Sequence, residues 1–393
     1  MQRRCATSLI APSLVVSLAV CSAACGAASP DGAELPMPYD SLRGGIIFAT
    51  RALRGSAGYD LYWTPLPDVS VGRNVPLFRL TESTNNEYQP AVSGDGAGMA
   101  FAGEDGIYVI TSPEGRISRI TDTTATTFVD TLPAVSYKAD RVAWVRADTS
   151  RPIGETGFVE SYIMIANFDG TDVHEVGPTP GVIQDAPAFD PRPDPNATRL
   201  AWSEFDAASV APNVGPTVYG IWVYDYRISS GTYVCRSING VTPELDGVTR
   251  VNTHDPRCFG QHLVWPVPDT LVLSQTMLEI DLLGRGKQSP LAEMLKGYKS
   301  QQDGIPVTTT FNAGFYASFP ISSSYSADGG TMVFDGVIQP VDAMNFNTLQ
   351  IFVAASDGTQ VTRLLIDGYG SDIDTNTTNN YLFSVATPRI VPR

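Results

Sequence analysis

From Gly44 onward, short apolar runs alternate with turns rich in glycine, proline, aspartate and serine. Apolar runs of this length, bounded by turn residues, predict β-strands. One stretch differs, because Ser289-Pro290 precedes an apolar run that ends at Gly297. Serine as N-cap and proline at the first helical position predict a short helix there. The rest of the chain is predicted to be all-β.

A repeated unit sets the order of these strands. One copy reads Pro90-Ala-Val-Ser-Gly-Asp-Gly96, then Met99-Ala-Phe101 and Tyr108-Val-Ile-Thr111, and ends in Arg-Ile-Thr at 119–121. Further copies begin at Pro133, which is 43 residues after Pro90, and at Pro187, which is 54 residues after Pro133. A period of about 40–45 residues with four strands is typical of a β-propeller blade. The Ser-x-Asp-Gly element predicts a tight turn after the first strand of each unit.

The units predict a closed ring. Five units lie between Gln89 and Ile366, and an earlier unit beginning at Gly45 lacks its innermost strand. Tyr381–Ala386 is a β-prone segment without partners of its own. Supplying it to the first unit removes the open sheet edges that invite aggregation. The predicted fold is an all-β, six-bladed β-propeller of four-stranded antiparallel blades, closed by a C-terminal strand that completes the first blade.

The repeat resembles that of TolB-type propellers over 44–387. The likeness is carried by the Arg-Leu-Thr or Arg-Ile-Thr strand end, the Pro-x-Val-Ser-x-Asp-Gly element and the later Asp-Gly turns. It implies a TolB-like propeller of the cell envelope, in a lipoprotein variant without the α/β domain that precedes the propeller in TolB. Peptidases with similar propellers use a G-x-S-x-G nucleophile elbow, which this sequence does not contain.

The N-terminus predicts export. Arg3 and Arg4 precede an apolar run, and Ser22-Ala-Ala-Cys25 offers small residues before a cysteine, as in a secretory signal peptide over residues 1–24. The sequence around Cys25 resembles a bacterial lipobox, which implies lipidation of Cys25. Cys21 is the rival position, although the bulky Val20 precedes it. The expected location is a membrane-anchored lipoprotein that faces the periplasm or the cell surface.

Residues 25–43 are predicted to form a lipidated flexible tether, because they are rich in small and polar residues without periodicity. The propeller domain is then 44–393. Loss of Arg3 and Arg4 with the leader takes the net charge from −15 to −17. Such an acidic chain is a poor partner for nucleic acid or bare anionic lipid, and a monomer is expected.

Two cysteines remain for the mature domain. Cys235 and Cys258 are an even pair in an oxidising compartment, and they predict a disulfide. The sequence has no CxxC motif for thiol redox chemistry. The three histidines lie in no metal-binding motif. No catalytic residue, metal ligand or cofactor is assigned.

Carboxylates precede several predicted inner strands, at Glu87, Asp130, Asp185 and Asp255. In a propeller these positions converge on one mouth of the central channel. They have three interpretations: polar residues that favour the turn into each strand, oxygen ligands for a cation such as calcium, or paired acid and base groups acting on a sugar. The favoured function is a binding or scaffolding module for a cell-envelope protein or polar ligand. The alternative is a propeller glycoside hydrolase or lyase.

Overall fold

The computed structural model describes residues 30–51, 59–66, 74–153, 159–177, 182–193, 198–206, 210–211, 215–216, 219–237, 263–267, 270–273, 278–281, 286–288, 315–317, 323–326, 328–340, 348–356, 362–363, 365–366 and 386–392. Within these ranges the chain is almost entirely β, apart from one 3-10 turn at Tyr39–Leu42. The helix predicted after Ser289 lies outside the described residues.

The first sheet takes strands from both ends of the chain. It consists of β1 (Gly45–Arg51), β2 (Tyr59–Pro65), β4 (Phe78–Arg79) and β29 (Ala386–Ile390). β29 pairs antiparallel with the free edge of β1, so a C-terminal strand completes the first unit as predicted. The strand begins at Ala386, at the end of the predicted segment, and 381–385 lie outside the described residues. Between units, β3 (Asn74–Val75) pairs parallel with β28 (Leu365–Ile366).

Three further units follow as four-stranded antiparallel meanders. The second contains β5 (Glu87–Val92), β6 (Gly98–Gly103), β7 (Gly106–Thr111) and β8 (Ile117–Arg119). The third contains β9 (Phe128–Val135), β10 (Arg141–Pro152), β11 (Val159–Asn167) and β12 (His174–Val176). The fourth contains β13 (Val182–Phe189), β14 (Arg199–Asp206), β17 (Tyr219–Asp225) and β18 (Ser230–Ser237), with a small ladder of β15 (Val210–Ala211) and β16 (Gly215–Pro216).

In the fifth and sixth units, the described residues lie mainly in strands. The fifth contains β19 (Leu263–Val267), β20 (Thr270–Leu273), β21 (Leu278–Asp281) and β22 (Gly286–Gln288). The sixth contains β24 (Ser323–Tyr325), β25 (Thr331–Pro340), β26 (Thr348–Ala355) and β27 (Thr362–Arg363), and β23 (Phe315–Ala317) also pairs with β25.

The first strands of these units form a circuit. β29 contacts β5, β5 contacts β9, β9 contacts β13, β13 contacts β19, β19 contacts β24, and β24 returns to β29. Sheets arranged radially around such inner strands form a β-propeller. The number of blades in the whole chain stays a prediction, because stretches such as 238–262 and 289–314 lie outside the described residues.

The core lies between neighbouring sheets. Ala100 and Val109 of the second unit pack with Val142 and Trp144 of the third, and Trp144 is fully buried. Because each sheet is covered on both faces, its strands read as nearly continuous apolar runs. Burial between sheets therefore explains why so many strand residues are hydrophobic.

The repeated motifs have defined structural roles. Ser93 Oγ donates to Asp95 Oδ1 at 2.9 Å, and Gly96 takes a φ of 68° in the predicted turn. At the strand end, Thr121 Oγ1 accepts from the backbone N–H of Ile107 at 2.8 Å. Thr81 makes the matching bond to Leu61 at 2.9 Å. The motif threonine thus ties the end of each of these two units to its third strand.

The segment 30–43 is part of the domain and not a free tether over that length. Its backbone pairs with β8, since Gly32 N–H donates to Ile117 O at 2.9 Å and Ile117 N–H donates to Ala33 O at 2.8 Å. Tyr39 and Leu42 are fully buried in the cluster that joins the first two units. The sequence predicts a tether here because the few apolar side chains lie among prolines and polar residues, in a stretch too short to show a sustained period. Residues 25–29 lie outside the described residues.

Candidate functional site in the central channel

The inner strands share a backbone irregularity at the repeat proline. Gln89, Leu132 and Ala186 each precede that proline and have φ values of 55°, 49° and 52°. The strand register shifts at each of these positions. Left-handed backbone at non-glycine residues is uncommon, and bulges of this kind redirect neighbouring side chains. Nothing in the sequence signals it, because none of the three residues is a glycine or an asparagine.

Asp130 is held by a basic partner that the sequence reasoning missed. Arg146 Nε lies 2.7 Å from Oδ1 of Asp130, and its Nη2 lies 2.7 Å from Oδ2. The aspartate side chain is fully buried. The guanidinium also lies 5.3 Å from the ring centroid of Phe128. A bidentate pair of this kind neutralises the carboxylate and fixes its position.

Glu87 faces the seam between the first and second units. Its Oε1 accepts a short hydrogen bond from Ser83 Oγ, while Oε2 has no hydrogen-bond partner. The side chain is fully buried. Burial raises its pKa to about 7, partly opposed by hydrogen bonds from Ser83 and Thr81. Glu87 is therefore a buried carboxyl with a raised pKa, packed against the connection that precedes its strand.

Asp185 is the most accessible of the three described carboxylates. It is partly exposed, and its Oδ1 accepts from the backbone N–H of Ala186 at 2.8 Å. Burial raises its pKa to about 6, and the Ala186 bond lowers it. Asp255 lies outside the described residues.

The position three residues before the repeat proline has a common structural use. Glu87 and Asp130 occupy it in the second and third units, and Gln184 occupies it in the fourth. Gln184 Oε1 accepts from Ile163 N–H, and its Nε2 donates to Gly177 O, both at 2.9 Å. These bonds join the third unit to the fourth. In each of these three units the polar side chain is engaged within the protein.

The carboxylates do not assemble into a metal centre in the described part of the chain. No group of three or more His, Cys, Asp and Glu residues there could hold a metal ion. His174 is exposed, and its Nδ1 lies 2.8 Å from Asp172 O. The other two histidines lie outside the described residues.

The opposite ends of the inner strands enclose a cavity. Its volume is about 170 Å³, and it is bordered by residues of the first, second, third, fourth and sixth units. The lining combines apolar and polar groups, among them Phe189, Ser93, Tyr137, Ser326, Asp190 and Arg389. Asp190 is fully buried and paired with Arg192 at 2.5 Å and with Arg199 at 2.8 Å. The candidate carboxylates lie at the other end of the strands, so the sequence pattern does not predict this cavity.

The predicted cysteine sites lie largely outside the described residues. Cys25 and Cys258 lie outside the described residues, as does the rival Cys21. Cys235 lies in β18, where its backbone faces Ile221, and its side chain is not described. Lipidation and the disulfide stay predictions. Among the described residues, no helix is long and apolar enough to cross a membrane.

Comparison with known proteins gives structural likeness at low identity. No protein-family model matches the sequence, and no curated protein matches it. TolB from Acinetobacter baumannii is 12% identical with a TM-score of 0.48, over 89% of this chain and 67% of that one. A putative TolB from Agrobacterium tumefaciens is 10% identical with a TM-score of 0.43, over 82% and 88%. An oligogalacturonate lyase from Vibrio parahaemolyticus is 10% identical with a TM-score of 0.42, over 87% and 79%.

These neighbours include TolB proteins and a lyase, and at such identities the likeness does not separate binding proteins from enzymes. The class that the described strands define is an all-β propeller.

Proposed function

We propose that the chain is an exported lipoprotein, anchored through Cys25 and facing the periplasm or the cell surface, whose propeller binds a protein of the cell envelope. It acts as a binding or scaffolding module and not as an enzyme. The observation that carries the proposal is the intramolecular use of Glu87, Asp130 and Gln184 at equivalent positions of three units.

This use argues against the glycoside hydrolase or lyase alternative. Hydrolysis by paired carboxylates needs an acid and a base that both face the same sugar. Asp130 is buried in a bidentate pair with Arg146, and Glu87 is buried against Ser83. Both oxygens of Asp130 are bound by Arg146, and Glu87 is fully buried, so neither carboxylate can reach a substrate in the channel unless the surrounding packing changes.

The size of the cavity favours a protein partner over a small molecule. Ligand pockets typically have volumes of about 300–1,000 Å³ and bury most of their ligand. A volume of about 170 Å³ suits one inserted side chain of a larger partner. The mixed lining, which includes Phe189, Tyr137 and Arg389, offers both apolar contact and hydrogen bonding to such a group.

Photo-crosslinking tests the binding role. A photoreactive phenylalanine replaces Tyr137 in the cavity or, as control, Ile228, which is 68% exposed on the fourth unit. We expect one discrete adduct from position 137 in the intact envelope and none from position 228. Filling the cavity with Ala188→Phe should abolish the adduct. Turnover of a polysaccharide that is lost in Asp130→Asn would instead establish the enzyme.

Fractionation tests the anchor. Cys25→Ser should release the protein from membranes, whereas Cys21→Ser should leave it bound. If only Cys21→Ser releases the protein, the lipid is on Cys21. Release by neither variant contradicts the lipoprotein assignment.

A further inference from the structure

The N-terminal segment pairs with the outer edge of the second unit through an isolated β-bridge between Glu34 and Arg116. Gly32 N–H and Leu35 N–H donate to Ile117 O and Gly115 O, and Ile117 N–H donates back to Ala33 O, all at 2.8–2.9 Å. Asp31 Oδ1 accepts from Arg119 N–H at 2.8 Å. β8 is the outermost strand of its sheet, so this segment lies on the rim of the propeller.

The docking continues without a break toward β1. Leu35, Tyr39 and Leu42 are buried among residues of the first two units. Trp63 Nε1 donates to Leu42 O at 2.8 Å, and Arg43 Nη1 donates to Asp95 O at 2.9 Å. From Asp31 to Arg43 the segment is therefore part of the rigid body and adds no length to a tether.

Only the stretch from Cys25 to Pro30 remains to separate the anchor from the rim. An extended chain spans at most about 3.6 Å per residue, so the five steps from Cys25 to Pro30 reach no further than about 18 Å. We propose that the propeller is held rim-first against the membrane, with the β8 edge of the second unit as its lipid-facing surface. The inference rests on the proposed anchoring at Cys25.

Rim attachment determines how partners approach. Inner strands line the axis of a propeller, and the fourth strand of each unit lies furthest from that axis. A membrane at the β8 edge therefore lies to the side of the channel, and neither channel end points straight at the lipid. The cavity near Tyr137 then stays accessible to a soluble partner or to the periplasmic part of a membrane protein.

Energy transfer to labelled lipid tests this placement. The chain from Cys25 onward is joined to a lipid by chemistry selective for an N-terminal cysteine, then bound to neutral vesicles that carry a headgroup acceptor. A donor fluorophore is introduced as an unnatural amino acid at Ser118, exposed on β8, or at Ile228 on the fourth unit. We expect transfer from Ser118 to exceed transfer from Ile228 at least twofold.

A lengthened tether is the matched control. Twenty Gly and Ser residues inserted between Gly26 and Ala27 should lower transfer from Ser118 to the level of Ile228. Equal transfer from both positions at native spacing would overturn the rim placement. Because the lipid is attached chemically, this result is independent of whether cells lipidate Cys25, which the Cys25→Ser fractionation decides separately.

Discussion

Asp130 and Arg146 form a bidentate ion pair between neighbouring strands, with both N···O distances at 2.7 Å. The two residues face each other across the β9–β10 ladder. The carboxylate is fully buried, while the guanidinium keeps partial access to solvent. A residue predicted as a channel ligand is thus one half of a structural pair.

Removing the Arg146 side chain alone should lower the free energy of unfolding. Arg146→Ala leaves a buried carboxylate without its partner, and breaking a buried pair in this way costs about 3–5 kcal/mol. Urea unfolding followed by circular dichroism measures the loss. The double variant Asp130→Asn, Arg146→Met should recover much of it, because no buried charge remains. Equal stability of Arg146→Ala and wild type would show that the pair contributes nothing.

Glu87 makes stability depend on pH. Its pKa is about 7 in the folded protein against an ordinary 4.5, so the folded state binds the proton more tightly than the unfolded state. The resulting stabilisation is complete below about pH 4.5 and is lost as the pH rises through 7. Glu87→Gln should therefore be more stable than wild type at pH 8, by up to about 3 kcal/mol, and nearly equal to it at pH 4.5. The exposed Glu114→Gln variant should show no such difference. If the two proteins differed in stability by the same amount at every pH, the effect would come from packing and not from the ionisation of Glu87.

Tyr39 tests the docking of the N-terminal segment. Tyr39→Ala empties a fully buried site and should cost about 3–5 kcal/mol in thermal or urea unfolding, as for other large aromatic side chains. Tyr39→Phe removes a buried hydroxyl that has no hydrogen-bond partner, and it should be neutral or stabilising by about 1 kcal/mol. Ser41→Ala, at an exposed neighbour, is the control. If Tyr39→Ala were as stable as wild type, the prediction that residues 30–43 form a free tether would be supported instead.

Deletion of everything after Asn380 tests ring closure. The truncation removes β29 and exposes the inner edge of β1, and it also removes Ile390 and Val391, which are both buried. Each buried side chain of this size contributes about 1.5–3 kcal/mol, against a total stability of about 5–15 kcal/mol for a domain. We expect aggregation or a strongly lowered melting temperature. Deletion of Arg393 alone should have no effect. Unchanged melting of the long truncation would refute closure by the C-terminal strand.

The local pattern of apolar and turn residues was enough to predict the strands, their turns and the order of the units. A turn such as Ser93 to Gly98 is specified by residues within six positions of each other, and apolar runs reflect burial on both faces of a sheet. The need to pair the free edge of β1 also made a C-terminal closing strand predictable, although its start lies at the end of the predicted segment.

The site was less predictable because its chemistry depends on contacts between distant residues. Asp130 meets Arg146 only when β9 and β10 pair, and nothing near either residue marks them as partners. Gln89, Leu132 and Ala186 take left-handed backbone where the pairing of the inner strands shifts register, and their residue types do not signal it. The docking of Tyr39 follows from a gap between two sheets that exists only after both have folded. Sequence pattern records local conformational preference and burial, whereas packing selects which polar groups stay available for a ligand.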